Sequence, residues 1–470
     1  MDNYFKLFGT CPDDIRKLLG AALSKGGEYA DVFFEYTISN SLSLRDSQVS
    51  AVRSDIDFGV GIRVIYKEKT GYAFSEKTDF ASMMKAALTA AEIASSPGAR
   101  NIPECVAVAV ENRYPIENPW DSYGIGMKKE RLMQLDTLIR SSDKRTVNVI
   151  GSLNDSDTAI LFCNSAGEMF HDRRPMAALS SVCIMAHNGR TENSYHSRSF
   201  RQGSEFLTDS LITGIAESCV EKCSLMFEAD RPPCGEMPVV MGSGSSGILL
   251  HEAIGHAFEA DFNRKGISIF ADRMGKRICS PDINIIDDGT IPFNRGAVNM
   301  DDEGTPGQKT YMVTGGILTS YLHDRISAAH YGVAPTGNGR RESFRFMPIP
   351  RMRATYMESG KNKEEDLIRS VRKGIYVDNF SNGQVQIGAG DFTFYVKSGY
   401  LIENGRLTRP VKDANIIGNG PEALAAITAV ADNLEIDDST WTCGKGQYCP
   451  VSCGMPSVLV SKLNVGGING

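Results

Sequence analysis

The stretch Met237–Asp261 reads MPVVMGSGSSGILLHEAIGHAFEAD, and the second half of the chain is built around it. An apolar run, a Gly/Ser-rich turn and a helical pattern follow one another, which predicts a strand that leads through a turn into a helix. The helix carries His251, Glu252 and His256. Zinc peptidases often carry H-E-x-x-H, in which the histidines stand four positions apart. Here the spacing is five, and the fold has to accommodate it.

Regular α-helix would turn these two histidines away from each other. Side chains at i and i+4 lie about 40° apart around the helix axis, whereas those at i and i+5 lie roughly 140° apart. A π-turn inserts one residue, so that an i,i+5 pair behaves like an i,i+4 pair. We therefore predict a π-turn or a break across Ala253–Gly255, where Gly255 lets the helix bend. The spacing leaves open the alternative that both histidines are ordinary helix residues on different faces.

If both imidazoles meet at one point, the motif has the chemistry of a metal-dependent hydrolase. Glu252 can take a proton from a metal-activated water and pass it to the leaving amine; its alternative is a solvated helix residue. Two histidines leave the site one ligand short, because catalytic zinc usually has three protein ligands. The turn before the helix also resembles a phosphate cradle, but no lysine follows Gly247 as a P-loop requires. We expect Ser245 or Ser246 to cap the helix.

The length of 470 residues favours two domains. The helix and strand patterns along the chain predict an α+β fold. Arg231–Glu236, with two prolines and a glycine, is the best linker candidate, which divides the chain into residues 1–231 and 232–470. The first part alternates apolar and polar residues between helical segments, and this predicts a mixed α/β domain with an antiparallel sheet. The second part reads as short strands and Gly-rich turns, apart from the histidine helix and a helix over Pro421–Val430. It predicts a mainly β domain with a curved or barrel-like sheet that carries the metal-site helix.

Charge and composition exclude several classes of protein. A net charge of −7 gives no general reason to bind nucleic acid, although a local basic patch at Arg340, Arg341, Arg345 and Arg351 stays open. No apolar run approaches the about 20 residues that span a bilayer, and the first residues lack the pattern of a signal peptide. Eleven scattered cysteines then indicate reduced thiols and a cytoplasmic protein.

Several separated motifs occur together in a characteristic order: GVGIRVIYKEKTGYAFS in the first half, then HEAIGHAFEADFNR, VAPTGNGRRESF and the closing CGKGQ…VGG. With these motifs the chain resembles the TldD/PmbA family, described as zinc metallopeptidases and historically named modulators of DNA gyrase. The likeness runs over nearly the whole chain.

The resemblance implies H-E-x-x-x-H as the metal motif. His251 and His256 take the ligand positions, Glu252 that of the general base, and Cys443 that of the third ligand; a thiolate beside two imidazoles suits zinc. The resemblance further implies short or unfolded peptide substrates, which can pair through their backbone with an exposed strand. It also implies a dimer, either a homodimer or a heterodimer with a PmbA/TldE-like paralogue that lacks the motif.

Further candidates lie in the loop that follows His323. Arg340 and Arg341 form a fork that suits a peptide carboxylate or carbonyl, so we expect them to bind substrate. The alternative is a loop held together by Arg–Glu pairs with Glu342. His323 and His330 are candidates for stabilising an oxyanion.

Four more residues near the predicted metal ligands have open roles. Glu259 and Asp261 can orient a ligand imidazole or be surface charges. Cys449 and Cys453 follow Cys443 and are not part of the family pattern; they can bind a structural metal, exchange as ligands, or be small buried apolar residues.

The favoured function is therefore a zinc-dependent peptidase that hydrolyses short or unfolded peptides with a metal-activated water. One alternative is a regulatory protein without hydrolytic activity that acts on a topoisomerase or its inhibitor. The other is a metal-dependent amidase for small molecules. None of the three requires direct contact with nucleic acid or membrane.

Overall fold

A seven-stranded sheet forms the centre of the N-terminal half, in a computed structural model that describes residues 1–94, 101–386 and 388–467. Its strands are β1 (Tyr29–Arg45), β2 (Gln48–Tyr66), β3 (Lys69–Ser75), β4 (Val106–Ala107), β5 (Thr146–Asn164), β6 (Glu168–His187) and β7 (Arg190–Phe200). The order β3-β2-β1-β5-β6-β7 is antiparallel throughout, and β4 adds to β6 in parallel. The predicted antiparallel sheet is confirmed.

Helices cover one face of this sheet and leave the other to the C-terminal half. They are α1 (Asp2–Phe8), α2 (Pro12–Ala22), α3 (Phe80–Ala91), α4 (Ile125–Ser142) and α5 (Asp209–Leu225). Phe34 and Leu42, two even-numbered positions of β1, pack under α2 and α3 and under α4 and α5 respectively. Because side chains alternate along a strand, Phe33 points the opposite way, and it packs against Met300 and Phe344 of the C-terminal half.

The C-terminal half is mainly β. Its strands are β8 (Gly235–Met241), β9 (Ile285–Asp288), β10 (Lys309–Thr314), β11 (Ile317–Leu318), β12 (Gly339–Arg340), β13 (Ile349–Pro350), β14 (Ala354–Met357), β15 (Lys373–Val385), β16 (Asp391–Glu403), β17 (Arg406–Val411), β18 (Ala414–Asn419), β19 (Ile427–Val430), β20 (Glu435–Asp437), β21 (Thr442–Gly444), β22 (Tyr448–Pro450), β23 (Ser452–Met455) and β24 (Val458–Gly466). Its helices are α6 (Gly247–Leu250), α7 (Ala260–Arg264), α8 (Arg325–Tyr331), α9 (Glu364–Ser370) and α10 (Gly420–Ala425).

A closed barrel is the main feature of this half. The strands β15, β8, β24, β18 and β16 pair in that order, and β16 closes the ring by pairing with β15. A second sheet has the order β11-β10-β9-β14-β23-β20. The helical segment that begins at Gly247 packs between them, since Leu250 and Ile254 share one core with Val377 of the barrel and Met357 of the second sheet. The predicted barrel-like sheet is confirmed, and the histidine helix packs against it.

Two predictions about the C-terminal half were wrong. The predicted helix Pro421–Val430 ends at Ala425, because the β-branched residues that follow form β19 and pair with β24. The strands are also not all short, since β15 and β16 have 13 residues each and pair with each other over most of their length. Helices α8 and α9 were not predicted.

Buried ion pairs join the two halves. Arg63 of β2 bonds both to Asp31 of β1 and to Glu303 of the C-terminal half, and all three side chains are fully buried. Arg174 of β6 bonds to Asp302 at 2.6 Å. The predicted boundary at residue 231 lies in the segment between α5 and β8. None of the helices in the described ranges is long and apolar enough to cross a bilayer.

Candidate metal centre

The two histidines of the motif are brought together by a π-turn. His251–Gly255 form one turn of π-helix, in which the backbone N–H of His256 donates to the carbonyl of His251. The extra residue in this turn removes the divergence that an α-helix would impose on an i,i+5 pair. The two imidazole rings lie with their centroids 5.1 Å apart and their planes at 77°. The predicted π-turn is confirmed.

Gly255 serves this turn in a different way from the one expected. Its backbone dihedrals are those of an ordinary helix, φ −58° and ψ −48°, so the glycine is not a point of bending. A Cβ placed on Gly255 would lie 2.2 Å from the Sδ of Met352, a side chain that is fully buried. Glycine is therefore required by the close approach of Met352.

The predicted serine cap of the helix was wrong. Ser246 precedes the helix, but its own φ of −64° and ψ of −15° are helical, so its hydroxyl makes no capping hydrogen bond. A capping side chain needs an extended backbone to reach the first-turn amides. Ser245 donates instead to the carbonyl of Asp378 in β15. This contact ties the turn before the histidines to the barrel.

Cys443 reaches the histidines on a short hairpin. Strands β21 and β22 pair so that Cys443 stands opposite Cys449. The Arg351 guanidinium holds this hairpin, with Nη2 donating to the carbonyl of Cys443 at 2.7 Å. The Sγ of Cys443 lies 3.1 Å from the Nε2 of His256. One ligand atom from each of His251, His256 and Cys443 falls within 4.8 Å of the other two, and all three side chains are buried.

These three side chains fit a metal ion. Both ring nitrogens of His251 are buried and have no hydrogen-bond partner among the described residues, an arrangement that costs free energy unless something binds there. Burial by itself would raise the pKa of the Cys443 thiol, but the adjacent imidazoles, His251 first, lower it to about 4. The cysteine is thus held as a thiolate, the form that ligates metals. Two nitrogens and one thiolate are a donor set that zinc accepts.

Glu259 orients the second imidazole. Its Oε2 lies 2.9 Å from the Nδ1 of His256, which leaves Nε2 to face Cys443. Burial would raise the pKa of Glu259, but the charges of Lys445 and His256 lower it to about 2. A carboxylate behind a ligand imidazole fixes its tautomer and increases its basicity. Asp261 contacts Lys445 at 2.6 Å and not the imidazole.

Glu252 is the accessible member of the motif. Its Oε2 lies 4.0 Å from the Nε2 of His256, and 24% of its side chain is exposed. The side chain of His256 is 5% exposed by comparison. Glu252 makes no hydrogen bond among the described residues, so its carboxylate is available next to the imidazole of His256.

Three segments of the chain match the three domain descriptions of one family. Residues 30–94 match the PmbA/TldA metallopeptidase domain 1, residues 118–226 the central domain, and residues 234–467 the C-terminal domain. This chain belongs to the TldD/PmbA family of metallopeptidases.

Relatives resemble this TldD/PmbA chain over almost its full length. The Metalloprotease TldD homolog of Haemophilus influenzae is 38% identical over 455 residues, covering 94% of this chain and 93% of that protein. The Zinc metalloprotease TldD homolog of Saccharolobus solfataricus is 27% identical and covers 96% and 99%.

Solved structures share the fold of the TldD/PmbA chain. A Thermotoga maritima protein described as a modulator of a DNA gyrase has a TM-score of 0.78 at 20% identity and covers 96% of this chain and 99% of that one. TldE from Thermococcus kodakarensis has a TM-score of 0.75 at 19% identity and covers 97% and 100%.

The predicted substrate-binding arginines are hydrogen-bonded within the protein. Arg340 donates to the carbonyls of Met352 and Pro450, and Arg341 bonds to the carbonyl of Asp302 and to two groups of the N-terminal sheet, Tyr72 and Asp31. Neither guanidinium pairs with Glu342, so the alternative of local Arg–Glu pairs does not describe this TldD/PmbA loop.

The two other histidines named from the sequence have separate surroundings. His323 is buried, its ring packs against Tyr321 and Tyr331, and burial lowers its pKa to about 4. His330 bonds to the exposed Glu68 of the N-terminal half. Substrate binding by His323 and the two arginines stays a prediction.

Cys449 and Cys453 belong to no second metal cluster within the described ranges. Both are buried, and burial raises the pKa of Cys453 well above its usual value. They match the alternative of small buried apolar residues.

Sequence reasoning missed Lys445 and the part that Arg351 plays. Lys445 lies 3.1 Å from Glu259, and Arg351 holds the hairpin. In the sequence, only the position of Lys445, two residues after Cys443, indicated that it lies near the metal ligands.

Proposed function

We propose that this protein is a zinc-dependent peptidase whose ion is held by His251, His256 and Cys443. The observation that carries the proposal is the convergence of three buried donors with the partly exposed carboxylate of Glu252 4.0 Å from one of them, the Nε2 of His256. Zinc is supported by the donor set and by the name of the Saccharolobus relative. Copper also accepts two imidazoles and a thiolate, and we favour zinc because it has no redox chemistry and serves hydrolases as a Lewis acid.

The residues of the centre divide the work of peptide hydrolysis. A zinc ion, when bound, lowers the pKa of a coordinated water and polarises the scissile carbonyl. Glu252 accepts the proton of the attacking water and returns it to the amine nitrogen as the peptide bond breaks. Glu259 keeps the Nε2 of His256 directed into the centre, and Arg351 keeps the Cys443 hairpin in place. Loss of Glu252 therefore removes proton transfer, while loss of Glu259 or Arg351 weakens binding of the ion.

A cavity bordered by segments that lead to the metal ligands offers room for an extended peptide. Its volume is about 600 Å³, and its wall includes Asn193 and Tyr195–Arg198 of β7, Ser245 before the histidine helix and Trp441 before Cys443. Among the described strands β7 pairs only with β6, and near its end the N–H of Ser199 donates to the carbonyl of Asp438. A peptide can add as a strand along the part of the outer edge that precedes Ser199. Recognition through the backbone favours short or unfolded peptides with little sequence preference.

We further infer a dimer, either with a second copy or with a paralogue of the TldE type. The structural similarity to TldE supports the second form, because a paralogue with the same fold can replace one copy in a symmetric pair. We infer a cytoplasmic location, since no disulfide joins the cysteines of the described residues.

Zinc content and peptide cleavage test the proposal together. Purified protein is analysed for metal by mass spectrometry and incubated with an unstructured peptide of about ten residues, whose fragments are identified by mass. We expect about one zinc per chain, cleavage that stops on chelation, and recovery on adding zinc. Stoichiometric zinc without cleavage of any peptide would favour the small-molecule amidase. Absence of both metal and cleavage would favour the regulatory protein.

A further inference from the structure

A second cavity, about 460 Å³ in volume, is lined by seven arginines. It lies where the N-terminal sheet meets the loops of the C-terminal half, and its wall also contains four carboxylates. The arginines are Arg174, Arg201, Arg295, Arg340, Arg341, Arg345 and Arg353, and the acids are Glu35, Asp57, Asp302 and Glu342. A cavity of this size is in the range of small-molecule sites, about 300–1,000 Å³.

Three of these arginines are neutralised by the protein. Arg174 bonds to Asp172 and Asp302, Arg341 to Asp31, and Arg345 to two acids of the N-terminal half. Their charges are satisfied whether or not the cavity is filled.

The other four arginines, Arg201, Arg295, Arg340 and Arg353, have no carboxylate at ion-pair distance within the described ranges. Each is at least nine-tenths buried. Arg295 and Arg340 donate only to hydroxyl and carbonyl groups, which carry no net charge. We call these four residues the arginine cluster.

Arg201 is the least satisfied member of the arginine cluster. Its Nε is sealed from solvent without a partner, and its two terminal nitrogens have no acceptor among the described residues. The guanidinium only stacks on the ring of Tyr114 at 5.3 Å. In Arg353, Nε donates to the carbonyl of Gly337 while Nη2 is buried and unpartnered.

Burial of the four charges of the arginine cluster destabilises the folded protein unless an anion binds to them. Burial is the main cause that lowers the pKa of Arg201 and Arg295 to about 10 and that of Arg353 to about 9, and the charge of Arg340 contributes in all three. Arg201, Arg295 and Arg353 therefore remain charged at neutral pH, and the charge of Arg340 repels all three. Buried charges persist in proteins when they are paired, and planar guanidinium groups pair best with carboxylate or phosphate oxygens.

We propose that this cavity is a binding site for an oxyanion, a carboxylate or phosphate group, which the arginine cluster holds. The site is separate from the metal centre but shares a wall with it. Arg295 donates to the carbonyl of Trp441 and to Thr442, next to Cys443, and Arg340 donates to the carbonyl of Pro450 on the facing strand of the same hairpin. The oxyanion comes either from a free anion in solution or from the carboxylate of a bound peptide, and the second source rests on the proposed peptidase function.

Titration with inorganic phosphate tests the site directly. Isothermal titration calorimetry is carried out on the full chain in buffer whose only other anion is chloride. We expect saturable binding that Arg201→Gln weakens at least tenfold and that Arg201→Lys, which keeps the charge but loses the fork, weakens less. The control is Arg369→Gln on α9, an exposed arginine paired with Asp366, which should bind as the wild type does. Equal phosphate affinity in wild type and Arg201→Gln would overturn the proposal.

Thermal stability separates anion binding from a structural role of Arg201. Without phosphate, Arg201→Gln should melt no lower than the wild type, because one repelling charge is removed. Phosphate should then raise the melting temperature of the wild type and leave that of the variant unchanged. A variant that melts lower without phosphate, yet gains as much from phosphate as the wild type, would show that Arg201 is only structural and overturn the site.

Paired peptides identify the source of the oxyanion. One peptide carries a free C-terminal carboxylate and the other, of the same sequence, a C-terminal amide. If the carboxylate of the substrate fills the site, amidation raises KM about tenfold with kcat unchanged, and Arg201→Gln abolishes the difference. Equal KM values with phosphate binding intact identify a free anion. Failure of the peptidase proposal would appear as no turnover of either peptide, while the phosphate titration still reports on the cavity. No phosphate binding together with equal KM values would refute the site.

Discussion

The Sγ of Cys443 lies 3.1 Å from the Nε2 of His256, although 187 positions separate the two residues along the chain. Cys443 lies on the hairpin of β21 and β22, and the position of His256 depends on the π-turn, so the contact exists only when the C-terminal half is folded. A metal that binds this pair binds the folded state and not the unfolded chain. Zinc binding and folding of this half should therefore be coupled.

Replacing Cys443 should remove the metal. We expect Cys443→Ala to lose zinc, because two imidazoles remain where three ligands are needed. Cys449→Ala is a matched control, since Cys449 is the opposite residue of the same hairpin, equally buried, and outside the cluster. Zinc per chain is measured by mass spectrometry after dialysis. Equal loss of zinc in both variants would show that zinc binding depends on the structure of the hairpin and not on the thiolate of Cys443.

Replacing Glu252 should stop catalysis without removing the metal. Glu252→Gln keeps the shape of the side chain but cannot accept a proton, so we expect kcat to fall by about 10²–10⁴-fold. Zinc content should be unchanged. Glu365→Gln, an exposed acid on α9, serves as the control. Turnover by Glu252→Gln within a few-fold of the wild type would assign proton transfer to another group.

Replacing Glu259 should weaken zinc binding without abolishing it. Glu259→Gln loses the charged partner of the His256 Nδ1, and we expect zinc affinity to fall about 10–100-fold, as is usual for such partners. Asp261→Asn is the control, because Asp261 contacts Lys445 but not the imidazole. Competition with a chromophoric chelator measures the affinity. An unchanged affinity for Glu259→Gln would mean that the imidazole is oriented by its packing alone.

The sequence predicted the local geometry of the metal centre better than its long-range contacts. The five-residue spacing of His251 and His256 demands a π-turn if both rings are to meet, and this follows from helix geometry. The contribution of Cys443 did not follow from any spacing and was implied only by family resemblance. The close approach of Met352 to Gly255 could not be predicted either, because the two residues are 97 positions apart and only the folded C-terminal half brings them together.

The fold was predictable where patterns are local. Alternation along β1 and β2 predicts an antiparallel sheet, and it is observed. The prediction of a helix over Pro421–Val430 was wrong in its second half, because pairing with β24 overrides the helical pattern there. The arginine cluster could not be predicted, since Arg201 and Arg353 lie in different halves of the chain; the basic patch named from sequence contained only Arg340 of its four members.

The buried imidazole of His323 should make the free energy of unfolding decrease as pH falls below about 6.5. Burial lowers its pKa from 6.5 to about 4, so between these values the unfolded chain binds the proton more readily than the folded one. The stabilisation is complete above pH 6.5 and is lost as pH falls towards 4, by about 2 kcal/mol between pH 7.5 and pH 5. His323→Gln should show a weaker pH dependence over this range, measured by urea unfolding. His330→Gln, on an exposed histidine, is the control, and an identical pH dependence for the wild type and His323→Gln would contradict the argument.

The π-turn should depend on the missing side chain at Gly255. A methyl group there meets the Sδ of Met352 at 2.2 Å and the carbonyl of Leu250 at 3.2 Å, so Gly255→Ala should lower the free energy of unfolding by about 1–3 kcal/mol. The same displacement should reduce zinc affinity, because the turn positions both imidazoles.

A second substitution isolates the cause. Met352→Ala opens space at the point of collision, so the pair Gly255→Ala and Met352→Ala should be less destabilised than the sum of the two single variants. Urea unfolding of the wild type, both single variants and the double variant gives the interaction energy. Strict additivity would mean that the alanine acts through the backbone of the π-turn itself, in which case the Leu250 carbonyl, and not Met352, is what excludes a side chain at position 255.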